Sequence, residues 1–194
     1  MIWTIAATMM IAASPQVQRS PATTPAIAPA TDSTLAARDG QRDFDFELGT
    51  WAIRVRRRVH PLSSDTSWVS PEGYTHIVQK VWDGRASLAQ LANDRPTPHF
   101  DGLMLRMYNA QTHQWSIYWG SAKTATLDAP LVGEFTNGRG VFYNQDTVDG
   151  RPVFVRLIYS DITATSFRTE SSYSADGGKT WQSSLVQSFT RLKS

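Results

Sequence analysis

Three arginines, Arg106, Arg156 and Arg168, each sit in the middle of a run of residues that would otherwise build a core. A guanidinium buried there needs a carboxylate or several acceptors, because burying an isolated charge is very costly. Glu134 and Glu170 are the partners expected on neighbouring strands. Two readings follow. In one, the arginines lie along the outside and their stems cover apolar surface. In the other, one or two point inward and meet an anionic head group on an otherwise apolar ligand. Trp115, Tyr118, Trp119, Met104, Met107 and Tyr108 would then form the walls, an apolar lining with a few placed polar groups. Both rows of these segments are apolar, so their alternation leaves open which row faces in.

Other chemical leads are weaker. His60, His76, His99 and His113 have no metal-ligand spacing. His60 and His113 fall at strand ends or turns, His76 alternates with Tyr74 and Val78, and His99 lies near Pro96, Pro98 and Phe100, at the expected mouth of the fold. The chain has no cysteine, which excludes disulfides, thiol catalysis and cysteine-ligated metal. Ser174-x-Asp176-x-Gly178-x-Thr180-Trp181 has the form of the Asp-box hairpin of sialidase propellers. One copy cannot supply repeated blades, so it reads as a turn in which Asp176 and Ser174 bond the turn backbone. A glycosidase would also need paired carboxylates across a cleft, and nothing forces two together. No catalytic set is expected.

The elements that must position these residues are strands. Trp51, Ile53, Val55 and Val59 share one face of the first, and Arg54, Arg56, Arg58 and His60 share the other. Similar runs occupy 50–60, 73–82, 85–92, 101–108, 114–120, 130–136, 139–146, 151–160, 165–174 and 181–192. Turn signals separate them: Asp83-Gly84, Asn109 to Thr112, Asn137-Gly138, Asp149-Gly150 and Asp176-Gly177-Gly178. Only 43–48 could form a short helical turn. Several strands are apolar on both faces, for example Val153, Val155, Leu157 and Tyr159 opposite Phe154, Arg156 and Ile158. A closed sheet fits that pattern better than a two-layer sandwich, and closure removes exposed edges. The expected fold is an all-β, roughly ten-stranded, up-and-down antiparallel barrel over 42–194.

The segment before the barrel differs in character. The apolar run from Ile2 to Ala13 has the length of a signal-peptide core and is too short to span a bilayer as a helix. Small residues at Ala12, Ala13 and Ser14 offer a cleavage site, so 1–14 reads as a signal peptide. Residues 15–41 carry Pro15, Pro21, Pro25 and Pro29 among Ala, Thr and Ser, with no aromatic, and read as a disordered linker. Net charge is +2, and the Arg54/Arg56/Arg58 row is its one concentration, read as a solvated outer face. Nucleic-acid binding would need a wider basic footprint and is not expected.

The chain resembles a bacterial family of unknown function with a calycin-like, lipocalin-superfamily barrel. The resemblance covers about 43 to 192 and rests on several motifs. They are Phe44-Asp45-Phe46 with Gly49-Thr50-Trp51; Leu105-Arg106-Met107-Tyr108-Asn109 with Gln114-Trp115-Ser116-Ile117-Tyr118-Trp119; Gly140-Val141-Phe142-Tyr143; Arg156 to Thr163; and Ser174 to Trp181. The resemblance implies a barrel with one closed end, one open mouth and a small apolar ligand. It further implies that Arg191 stacks on Trp51 beside Gly49 to close the barrel. Related barrels that bind haem take a histidine from near the C-terminal strands; this chain has none after His113, so no cofactor is expected. The expected function is an exported, secreted or periplasmic protein, monomer or homodimer, binding a small apolar molecule, with no membrane insertion once the signal is cleaved. The alternative is an isomerase or hydrolase acting inside the same barrel.

Overall fold

Alternating apolar and polar residues build strands wherever turn residues separate them, and eleven form among the described residues. The computed structural model describes residues 39–93 and 101–193. The segment read as a signal peptide, most of the one read as a linker, and His99 lie outside the described residues. The strands are β1 (Gly49–Arg58), β2 (Trp68–Val69), β3 (Tyr74–Val81), β4 (Ala86–Asn93), β5 (Asp101–Asn109) and β6 (Gln114–Ser121), followed by β7 (Leu131–Thr136), β8 (Arg139–Val148), β9 (Arg151–Ser160), β10 (Ser166–Ser174) and β11 (Gln182–Arg191). Every neighbour is antiparallel, and the order from β3 to β11 follows the chain.

Pairing of β11 with β1 closes ten strands into a barrel, with Trp51 opposite Arg191 and Ile53 opposite Phe189. β2 stays outside the ring and pairs only with β1, at Arg57 and Arg58. The sequence pattern did not reveal β2, since two residues carry no alternation. Trp68 on it lies under Arg56 and Arg58, whose guanidinium carbons are 5.3 and 5.6 Å from the ring centroid. The turns follow the residues that demand them. Asn137-Gly138 and Asp149-Gly150 have positive φ at both positions, the pattern of two-residue hairpin turns matched to sheet twist.

Residues opposite one another in a sheet share a face, so the register assigns the inner wall. It carries Trp51, Ile53 and Val55 of β1, His76 and Val78 of β3, Met104, Arg106 and Tyr108 of β5, and Trp115, Ile117 and Trp119 of β6. Phe142 of β8, Tyr159 and Leu157 of β9, Phe167 of β10 and Phe189 of β11 belong to it too. At one end the chain before β1 turns across the opening in a single 3₁₀ turn, Asp45–Glu47, as expected for 43–48. Phe44 is its centrepiece. Its ring packs edge-on against Trp115 and Phe135 at 5.0 Å and Tyr159 at 5.3 Å, geometries that aromatic quadrupoles favour.

Candidate functional site

The closed end is assembled by the chain that crosses it. Trp115 Nε1 donates to Gly40 O at 2.9 Å, and Gly40 N donates to the Tyr108 hydroxyl at 3.0 Å. Trp51 Nε1 donates to Glu47 O at 2.7 Å. Gly49 then turns the chain into β1 with φ of 109°, and a Cβ there would stand 2.9 Å from Arg191 Nη1. Glycine meets both demands. Arg191 lies over the Trp51 ring at 4.1 Å and donates to Leu48 O (2.7 Å), Phe46 O (2.6 Å) and Ala164 O (2.8 Å). One guanidinium thus stacks on the first strand and fastens the crossing segment to the last.

Beneath Phe44 lies a charged cluster. Glu47 Oε1 accepts from His76 Nε2 and from Arg106 Nη2, both at 2.8 Å. The Tyr159 hydroxyl is 3.4 Å from Arg106 Nη2, and Ser87 Oγ accepts from Nη1 at 3.4 Å. Arg106 also sits 4.8 Å from the Phe44 centroid. Glu47, His76 and Arg106 are 1%, 2% and 0% exposed, so no solvent screens them. Burial pushes the Glu47 pKa up, but Arg106 and His76 outweigh it and hold the carboxyl below its ordinary value. Burial would likewise favour the neutral form of Arg106, and Glu47 and Tyr159 together more than offset it. Burial raises the Tyr159 hydroxyl to about 12, so it stays protonated. Glu47 Oε2, His76 Nδ1 and Arg106 Nε have no hydrogen-bond partner among the described residues. The cluster is sealed and internally neutralised. It is built to hold the floor in place.

The expected site residues separate into three groups. Arg106, Tyr108 and Trp115 come together at the floor, and Trp119 faces inward farther along. Trp119 lies against Gly102, where any Cβ would collide with its ring. Tyr118, Glu134, Arg156 and Arg168 are on the outer face, as is Met107. Arg156 stacks over Trp181 at 4.3 Å, and Arg168 pairs with Glu170 at 2.6 Å. The partner expected for Arg106, Glu134 or Glu170, is corrected to Glu47, which the 3₁₀ turn delivers from before the barrel. Arg156 and Arg168 follow the outer-face reading. Sequence reasoning missed Glu47, His76 and Tyr159 as one cluster. The available signal was an acid inside the apolar plug Phe44 to Leu48, with a histidine on the inner row of β3.

Toward the opposite end the inner wall is less covered. Tyr74, Leu91, Trp119, Leu131 and Leu185 are half-buried, as Phe46 and Tyr108 are at the floor, whereas Phe44, Glu47, Trp51, His76, Arg106, Trp115 and Tyr159 are below a tenth exposed. Val153 and Val155 are covered even there. The Ser174 turn is as read: Asp176 accepts from Thr180 N, Thr180 Oγ1 and the Ser174 hydroxyl, bonds that depress its pKa, and Trp181 Nε1 donates to Gly178 O. Among the described residues no group of three or more histidines and carboxylates is arranged to hold a metal ion. No protein-family model matches this chain, and a search of curated proteins finds no relative.

Proposed function

We propose that this barrel holds a small, largely apolar molecule in the half of its interior away from the Phe44 plug, without chemical turnover. The unequal cover of the inner wall carries the reading. Leu91, Trp119, Leu131 and Leu185 point into the barrel and are only half-buried, three of them at the margin of the core, while Phe44, Trp51, Trp115 and Tyr159 at the floor are sealed. A barrel filled by its own side chains would cover both halves, whereas apolar wall left open at one end is the lining a ligand uses. The resemblance to calycin-like barrels and the export-type N-terminus belong to the same proposal. An anionic head group is not part of it, because Arg106 is committed to Glu47 and Arg156 and Arg168 lie outside. Turnover in the same barrel would want a shifted titratable group beside the ligand. The fully buried shifted groups Glu47 and Tyr159 instead sit beneath Phe44, within hydrogen-bonding distance of Arg106.

The test is titration with N-phenyl-1-naphthylamine, a neutral apolar dye that brightens in apolar surroundings. The expected result is saturable binding near one site per chain, abolished by Leu131→Trp, which fills the wall, in a variant whose near-ultraviolet circular dichroism is unchanged. Non-saturable brightening, or binding indifferent to Leu131→Trp and Leu185→Trp, would overturn the proposal.

A further inference from the structure

An amide interrupts the inner wall of β11 one inward position beyond Phe189, on the side of the mouth. Gln187 stands opposite Val55 of β1 and Thr169 of β10, and Thr169 stands opposite the inward Tyr159, so the register turns Gln187 into the barrel. The Thr169 hydroxyl donates to Gln187 Oε1 at 3.1 Å. Thr169 is 4% exposed, so solvent does not compete for that bond. The bond occupies the oxygen end of the amide and leaves the nitrogen end, with its two N–H donors, to other partners. Nε2 forms no hydrogen bond with a described residue, yet it is not sealed from open space as the orphaned atoms of the floor are. Round the ring, β10, β9, β8 and β7 separate β11 from β6 one way, and β1, β3, β4 and β5 the other. The half-buried Trp119 of β6 therefore faces Gln187 across the interior, with the half-buried Leu131 on β7 beside it.

We propose that Gln187 is the polar anchor of the interior, and that the apolar molecule held there carries an uncharged carbonyl oxygen. That oxygen accepts from Gln187 Nε2 while the body of the molecule lies against Trp119 and Leu131. The inference rests on the interior binding proposed above and adds the class of ligand. A carbonyl in this place recovers the hydrogen bond it gave up in water, whereas a molecule with no acceptor leaves Nε2 unpaired. An ionised carboxylate is disfavoured, because one neutral donor does not offset the loss of its hydration. Arg57 is on the inner row of β1, opposite Leu185, but it is exposed and two residues nearer the mouth than Val55. A carboxylate would meet it at the rim and not at Gln187.

Displacement of N-phenyl-1-naphthylamine from the full chain by 2-acetylnaphthalene, 2-ethylnaphthalene and 2-naphthoate tests this. Gln187→Met keeps the length of the side chain and removes the amide. It should weaken 2-acetylnaphthalene at least about fivefold, the worth of one hydrogen bond, and leave 2-ethylnaphthalene no weaker. Thr169→Val removes the hydroxyl that orients the amide, and should weaken the ketone in the same direction by less. Retained displacement by 2-ethylnaphthalene shows that both variants keep their fold. Equal losses for ketone and hydrocarbon, or no loss for either, would overturn the role of Gln187 and leave interior binding standing. Tighter binding of 2-naphthoate than of the ketone, lost in Arg57→Gln, would overturn it in favour of an anion at the rim. A dye that fails to bind the unaltered chain would remove both proposals.

Discussion

At the scale of single residues, Glu47 determines most about the closed end. Replacing it by glutamine keeps the shape and removes the charge that compensates a fully buried Arg106. Breaking a buried pair in this way costs about 3–5 kcal/mol, so the urea midpoint of Glu47→Gln should fall sharply. Glu47 titrates below its ordinary 4.5 in the folded protein. A depressed carboxylate contributes stability that is full above the unfolded value and is lost as pH falls through the folded one. The wild-type protein should therefore lose stability progressively in acid below pH about 4.5, and urea titrations of Glu47→Gln should show a flatter dependence over that range. This cluster was barely legible in the sequence. Strand alternation says nothing about a residue in a turn that precedes the sheet, and an acid between Phe46 and Leu48 resembles any solvated turn residue. The arginines were visible by type and place, but which row faced in depended on a register that no single strand encodes.

At the scale of elements, the crossing segment, β1 and β11 act as one joint. Arg191→Met keeps an apolar stem over Trp51 but removes the stacked cation and the donors to Leu48, Phe46 and Ala164. The loss should be about 2–3 kcal/mol, given what charged hydrogen bonds and a partly screened ring contact contribute, measurable by thermal or chemical unfolding. β7 meets β8 just as closely. A Cβ on Gly133 would run into the backbone of Val141 and Phe142, so Gly133→Ala should destabilise by about 1–3 kcal/mol as an overpacked site. The ten barrel strands were legible because paired turn residues such as Asn137-Gly138 punctuate regular alternation. β2 was not, because Trp68 and Val69 form a strand only by leaning on Arg57 and Arg58.

At the scale of the whole molecule, barrel closure was legible from strands apolar on both faces, and it is what the β1–β11 ladder delivers. The depth of the interior was not legible, since it depends on how far Phe44 and the floor aromatics fill it. A closed all-β topology places many partners far apart in sequence, which slows folding. Stopped-flow refolding from urea should therefore fall in the millisecond-to-second range, with mutations at the seam between β1 and β11 altering stability more than hydrophobic swaps on the outer face. The same seam has a consequence for biosynthesis. A ribosome delivers Trp51 long before Arg191, so the nascent polypeptide holds a naked edge and an unroofed aromatic floor until β11 emerges. Only the codons of β11 supply the clasp. A chain terminated before β11 is complete should aggregate and not behave as a slightly loosened barrel.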